Sequence, residues 1–202
     1  MDYDYSKISE LEKAYLPTGF QGNVYNLSYK WLQILPAPDK PLKVLEIGAY
    51  HGANACSLVR TFCTYPESEI HCVDPWSDYD AYDEYKNLQA SNYSIFLKNI
   101  SKLESFDISK IFIHRMSSAH LDRRFEDNYF DIIYIDGNHS TLYVLQDALT
   151  SLRKLKSGGY LIFDDIQDKD VLYGLKMFMS VAKEHINLDV KSYSCQAFVR
   201  KL

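Results

Sequence analysis

The chain has 202 residues, 47% of them apolar, which suits one well-filled domain with a small accessory segment and excludes a disordered chain. With 22 Lys plus Arg against 27 Asp plus Glu, the formal charge is -5. No global field then draws in a phosphate backbone or an anionic lipid surface, so neither nucleic acid nor membrane is an expected partner.

Four cysteines, Cys56, Cys63, Cys72 and Cys195, form no C-x-x-C pair, and a core of this size needs no staples. They read as reduced thiols, which points to a cytoplasmic setting. The opening "MDYDYSKISE" lacks the basic and apolar regions of a signal segment, and no apolar run approaches membrane-spanning length.

In chain order, "KISELEKAYL" places Ile8, Leu11 and Tyr15 on one helical face before Pro17, Thr18 and Gly19 break it. "VYNLSYKWLQIL" repeats the pattern with Val24, Leu27, Trp31, Ile34 and Leu35, and "PAPDKP" follows as a linker. Residues 1–40 are therefore expected to be a helical segment covering the site, and residues 41–202 the main domain.

From "KVLEIGA" (43–49) onward, short apolar runs alternate with helical patterns. The runs are "EIHCVDP" (69–75), "KIFIHRM" (110–116), "FDIIYID" (130–136) and "GYLIFDD" (159–165). The helix over 141–155 carries Leu142, Leu145, Leu149 and Leu152, with Gly158 and Gly159 expected to close it. Strands this continuously apolar are buried on both faces, so the class is α/β, with a doubly wound, mostly parallel sheet. "SDYDAYDEYKNLQASNY" reads as exposed helix and loop. After a helix over "DVLYGLKMFMSVAKEH", the runs "NLDVKSY" and "QAFVRKL" are separated by only Ser194 and Cys195. So short a link makes a hairpin, and the last of seven strands should run antiparallel.

In such sheets ligands bind beyond the carboxyl ends of the strands. Those ends carry Glu46, Gly48 and Gly52, then Asp74, Asp136, and the pair Asp164 and Asp165. Two carboxylates about 4 Å apart repel by roughly 4 kcal/mol at an effective dielectric near 20, so the cluster implies protons or positively charged ligands. A nicotinamide or flavin dinucleotide fits poorly, because Tyr50 stands where a glycine must admit pyrophosphate. Gly48 and Gly52 could serve a tight turn alone, and Asp74 could cap the turn at Pro75. An acid ending the strand beside a glycine turn is nonetheless placed to accept both hydroxyls of a ribose.

Together "VLEIGAYHG", "IHCVDPW", "FDIIYIDGNHS" and "GGYLIFDDI" resemble the class I S-adenosylmethionine-dependent methyltransferases, from about residue 42 to the C-terminus. The likeness is to small-molecule and sugar O-methyltransferases of the methyltransferase-24 type, similar in turn to metal-dependent catechol and macrolide-sugar enzymes. It implies a Rossmann-like sheet of seven strands with the last antiparallel. It also implies that Glu46, Gly48 and Gly52 meet the methionine part of the cofactor and that Asp74 meets its ribose. Ser117 and Ser118 match positions near the adenine, although a serine pair also caps helices. Trp76 could line the adenine pocket or pack in the core.

In the metal-dependent relatives, positions matching Asp136, Asp164 and Asp165 hold a metal and the one matching His139 is the general base. Oxygen ligands of this kind suit Mg²⁺ or another divalent cation such as Mn²⁺ or Ca²⁺. A metal-free enzyme with His139 as base stays open, since His139 could merely start a helix and adjacent acids in an extended chain face opposite ways. The acceptor expected is a small molecule or sugar. An RNA or protein methyltransferase and a non-catalytic nucleoside-binding scaffold are the alternatives, and a homo-oligomer is left open.

Overall fold

The computed structural model describes residues 8–78 and 86–202. Its core is a seven-stranded sheet: β1 (Lys43–Ile47), β2 (Glu69–Asp74), β3 (Ile111–Arg115), β4 (Phe130–Ile135), β5 (Leu155–Phe163), β6 (Lys191–Tyr193) and β7 (Gln196–Arg200). The spatial order is β3-β2-β1-β4-β5-β7-β6. The first five strands pair in parallel, whereas β7 runs antiparallel to both β5 and β6, as the short link at Ser194 and Cys195 requires.

Alternating side chains divide between two apolar layers. Val44, Ile70, Ile132, Tyr134 and Ile162 pack on one face with α2 (Ala53–Thr61) and with Trp31 and Phe96. Leu45, Ile47, Val73, Ile133 and Leu161 pack on the other with α6 (Thr141–Lys154) and α7 (Lys169–Val181). In chain order α3 (Gln89–Ile100) and α4 (Ser105–Ile108) lie between β2 and β3, and α5 (Leu121–Arg124) between β3 and β4. No helix among the described residues is long and apolar enough to cross a membrane. The four cysteines are free thiols, three of them buried.

Three local expectations change. The first helix is only α1 (Glu10–Lys13), closed at its start by a Ser9–Glu12 capping box, and Leu11 on the expected buried face is 57% exposed. The second is a 3-10 turn, Ser28–Gln33, because residues 21–28 spend their polar groups on distant partners instead of on a helix. Finally, α6 passes straight into β5 at Leu155, so Gly158 and Gly159 lie inside the strand. A Cβ on Gly159 would lie 2.7 Å from the Asp131 carbonyl oxygen, so the glycine permits close approach at a register irregularity of the β4–β5 pairing. Within "SDYDAYDEYKNLQASNY", residues 79–85 lie outside the described residues, and α3 begins at Gln89.

Candidate active site

The carboxyl ends of β1, β2, β4 and β5 surround a cavity of about 830 Å³. Its floor is built by a glycine turn under steric constraint. Gly48 has φ 90 and its Cα faces the β4 turn so closely that a Cβ would meet the Asp136 carbonyl oxygen at 1.9 Å. Gly52, with φ 79, starts α2 against Phe96. Both positions therefore require glycine for conformation and for space.

Glu46 lies beside this turn at 2% exposure. Burial, reinforced by the charge of Asp136, pushes its carboxyl well above the usual range. Next to the turn, Asn54 accepts from the Ser28 backbone N–H at 2.8 Å through Oδ1. Asn54 Nδ2, buried in the cavity lining, makes no well-formed hydrogen bond, although it lies near enough to Glu46 to oppose the rise of that carboxyl. An unpaired buried donor costs about 1–3 kcal/mol, and a ligand acceptor would recover it. Asn54 was not singled out from sequence; the one signal was an amide inside the otherwise small and apolar "GANAC".

Asp74 holds the turn and also faces the cavity. Its Oδ2 accepts from the Tyr50 N–H at 2.9 Å and its Oδ1 from the Trp76 N–H at 2.7 Å, which ties the glycine turn to the end of β2. Burial raises its carboxyl and the two N–H groups oppose this. Each oxygen keeps a second lone pair, and the side chain lines the cavity, so ligand hydroxyls can still bind. Trp76 is a core residue: 1% exposed, it donates to the Tyr50 carbonyl at 2.9 Å and packs on Tyr93 and Phe96.

The serine pair after β3 divides its work. Ser117 Oγ accepts from the Ala119 N–H at 3.3 Å and caps a short 3-10 turn. Ser118 lies near Asp147 of α6, whose carboxyl burial pushes up to about 6 against the influence of this hydroxyl. Both serines line the cavity.

Toward β5, His139 Nε2 lies 3.5 Å from Asp136 Oδ1 and 3.8 Å from Asp165 Oδ2. The three side chains are about 30% exposed, open to a ligand in the cavity. Hydrogen bonding to Asp136 raises the pKa of His139 against the opposing effect of burial. Asp136 is itself raised, by burial above all, with the charges of Asp164 and Asp165 adding to the effect against its bond to His139.

Asp165 takes a left-handed backbone, φ 50, which breaks the alternation of an extended chain and lets both neighbouring acids face the cavity. Asp164, 4% exposed, sits deeper. Asn26 Nδ2 donates to both its oxygens at 3.0 Å, Tyr134 Oη at 2.6 Å, and the Cys195 thiol at 3.6 Å.

Asp136, His139 and Asp165 each offer a ligand atom, all within 4.8 Å of one another. Two carboxylates and an imidazole at this spacing fit a divalent cation by donor type, whereas Asp164 has its lone pairs largely shared. Asn26 and Cys195 were not readable as site residues, because each acts through a partner distant in the chain.

A family model described as "Methyltransferase domain", methyltransferase-24, matches residues 45–166. Protein R132 of Acanthamoeba polyphaga mimivirus is 21% identical over 168 residues, covering 82% of this chain and 71% of R132. Among solved structures, cofactor-bound Rv0187 from MTB is similar with 15% identity and a TM-score of 0.60, over 94% of this chain and 85% of that one. MycE of the mycinamycin biosynthetic pathway, solved with Mg and SAH, has 18% identity and a TM-score of 0.53, over 81% of this chain and 45% of MycE. This chain thus spans less than half of MycE. With the domain match covering more than half of the sequence and the sheet order that the fold demands, the chain belongs to the methyltransferase-24 family and is a class I, S-adenosylmethionine-dependent methyltransferase.

Proposed function

We propose that the chain is an O-methyltransferase, assisted by a divalent cation such as Mg²⁺, that acts on a hydroxyl of a small molecule or sugar. The observation that carries this reading is the convergence of His139 with Asp136 and Asp165 in the same cavity as Asp74 and the glycine turn. On this reading Glu46 and the unpaired Asn54 amide meet the charged methionine end of the cofactor, Asp74 meets the ribose, and Ser117 and Ser118 meet the base.

Asp136 and Asp165 would be the carboxylates most open to the cation, with His139 left off it to act as base, and Asp164 would join them as third ligand only by exchanging bonds it now accepts from Asn26, Tyr134 and Cys195. Such a cation, when bound, lowers the pKa of a hydroxyl oxygen beside it. The acceptor oxygen takes the methyl carbon from the sulfonium, the carbon–sulfur bonding pair returns to sulfur, and the hydroxyl proton passes to His139. Asp136 and Asp165 favour the protonated imidazole and so support its work as a base near neutrality. Holding donor and acceptor in line contributes on the order of 7 kcal/mol or more to such a transfer.

Asn23, Tyr25 and Asn26 of the N-terminal segment line the cavity, with Tyr25 at 70% exposure on its rim, and act as its cover. Asn23, Asn138 and Gln167 make the lining polar, which suits a hydroxylated acceptor. Calorimetry with S-adenosylhomocysteine, with Mg²⁺ and with chelator, tests the scheme together with an acceptor screen that detects S-adenosylhomocysteine release. Binding that is indifferent to metal removes the cation from the mechanism. Release with amine acceptors alone removes O-methylation.

A further inference from the structure

The carboxylate of Asp164, 4% exposed, has no lone pair to spare. Two carboxylate oxygens offer four lone-pair sites. Oδ1 accepts from Asn26 Nδ2 at 3.0 Å and from the Cys195 thiol at 3.6 Å. Oδ2 accepts from the same Asn26 nitrogen at 3.0 Å and from Tyr134 Oη at 2.6 Å. Donors thus match lone pairs one for one, and a new ligand reaches this acid only by taking a donor's place.

Tyr134 Oη also lies 3.3 Å from Asp136 Oδ2, which makes Asp164 Oδ2 the oxygen on the Asp136 side. A cation shared by the two acids competes there, and the two donors to that oxygen are unequal. Tyr134 is fixed in β4 at 1% exposure. Its oxygen accepts from Gln196 Nε2 at 3.5 Å, and Gln196 Oε1 accepts from the Trp31 indole at 3.0 Å. Because an indole only donates, this chain orients the Gln196 amide and turns the Tyr134 proton toward the acids. Asn26 stands instead in a loop, with a left-handed backbone, φ 47, beside Tyr25 on the cavity rim. The loop is pinned on either side, by the Asn23 N–H to His51 at 3.2 Å and by the Ser28 N–H to Asn54 at 2.8 Å. Between these pins Asn26 supplies the polar ties, its amide to Asp164 and its carbonyl to Gln196 Nε2 at 3.4 Å. Of the two donors, Asn26 is the one that can leave without disturbing the sheet.

We propose that Asn26 is a latch that competes with the cation for Asp164, so that a divalent ion taking this acid releases residues 23–26 from the cavity. The inference rests on the reading of Asp136, Asp164 and Asp165 as the cation's carboxylates. Without the ion, the amide holds the acid and the cover together. With it, Asn26 loses its charged partner and the loop is held by its pins. Occupancy of the acid and opening of the cover are then linked, and the closed latch lowers the apparent affinity for the ion by the fraction of chains in which it is open.

The test measures Mn²⁺ binding to the full chain, without cofactor or acceptor, from the loss of the free ion's electron paramagnetic resonance signal. Asn26→Ala removes the competitor and leaves every carboxylate in place, so it binds Mn²⁺ about tenfold or more tighter than the wild type. Hydrogen exchange on the wild type is a second readout, and it decides the matter if the variant does not fold. Saturating Mn²⁺ quickens exchange across residues 20–28, whereas an ion that merely tightens its site slows it. Equal or weaker Mn²⁺ binding by the folded variant, or unchanged or slower exchange in the wild type, overturns the latch and leaves the cation reading intact. Failure of wild type and variant alike to bind Mn²⁺ overturns both.

Discussion

The side-chain amide of Asn26 bridges both carboxylate oxygens of Asp164, at 3.0 Å to each, across 138 positions of sequence. This contact fastens the N-terminal segment to the end of β5. Hydrogen bonds to a charged group contribute about 1.5–3 kcal/mol, so Asn26→Ala should lower stability by about 2 kcal/mol. Urea unfolding measures the loss. Hydrogen exchange should show it concentrated at residues 20–28, and uniform exchange would reject the fastening role.

His139→Ala should retain affinity for S-adenosylhomocysteine and lose turnover by about 10²–10⁴-fold, the range for removal of a general base. Single-turnover rates check this. A variant with undiminished turnover would show that another group takes the proton.

Asp74→Ala removes the acceptor for two backbone N–H groups as well as the proposed ribose contact. Cofactor affinity should drop at least about tenfold, each lost hydrogen bond to a charged group being about 1.5–3 kcal/mol. Asp74→Asn, which keeps one acceptor oxygen, should fall between this variant and the wild type. Equal affinities across all three would leave only the turn role.

Gly48→Ala should prevent folding or lower stability by more than about 3 kcal/mol, because the added carbon meets a backbone oxygen at 1.9 Å. Gly19→Ala is the control. Its φ is also positive, 70, but the nearest atom is the Lys102 ammonium at 3.8 Å, so backbone strain of about 1–2 kcal/mol is the whole expected cost. Thermal melts of the two variants separate clash from conformation.

Acid should weaken the fold well above the carboxylate range. Burial lowers the pKa of His51 and of His114 to about 4. Above pH 6.5 both rings are neutral in the folded and unfolded chain alike, and the stability is complete. As pH falls from 6.5 toward 4 the unfolded chain takes up protons that the folded one refuses, and stability drops. At about 1.4 kcal/mol per unit, with partial relief by local hydration, the loss is on the order of 2–3 kcal/mol. His114 lies in a directed chain, Arg124 Nε to His114 Nδ1 and His114 Nε2 to His71 Nδ1, with His71 Nε2 donating to Glu69. His114→Asn should flatten the slope measured by denaturant midpoints between pH 4 and 7, and an unchanged slope would reject the assignment.

The sheet was readable because its inner strands bury both faces and are therefore mostly apolar, as at Val44, Leu45 and Ile47, whereas the edge strand β3 leaves Phe112 and Ile113 exposed against the expectation of burial on both faces. Acids at the strand ends were readable for the same reason, since each interrupts such a run. What deceived was punctuation. Gly158 and Gly159 look like a helix stop, yet their meaning lies in the neighbouring strand at Asp131. Periodicity at Val24, Leu27 and Trp31 looks helical, yet the backbone there answers to Asn54, and the segment before it to Asn99 and Asp164. Asn54, Asn26 and Asp147 escaped notice because an amide or acid inside a helix or loop has no local signature. Only its distant partner separates it from a solvated side chain.

Trp31 donates through its indole nitrogen to Gln196, 165 positions later. The seat for this aromatic is thus completed by the β6–β7 hairpin, so during synthesis the segment around Trp31 cannot finish packing until residue 196 has emerged. A nascent chain halted before residue 196 should leave this indole nitrogen without its acceptor, a candidate grip for a chaperone until β7 arrives.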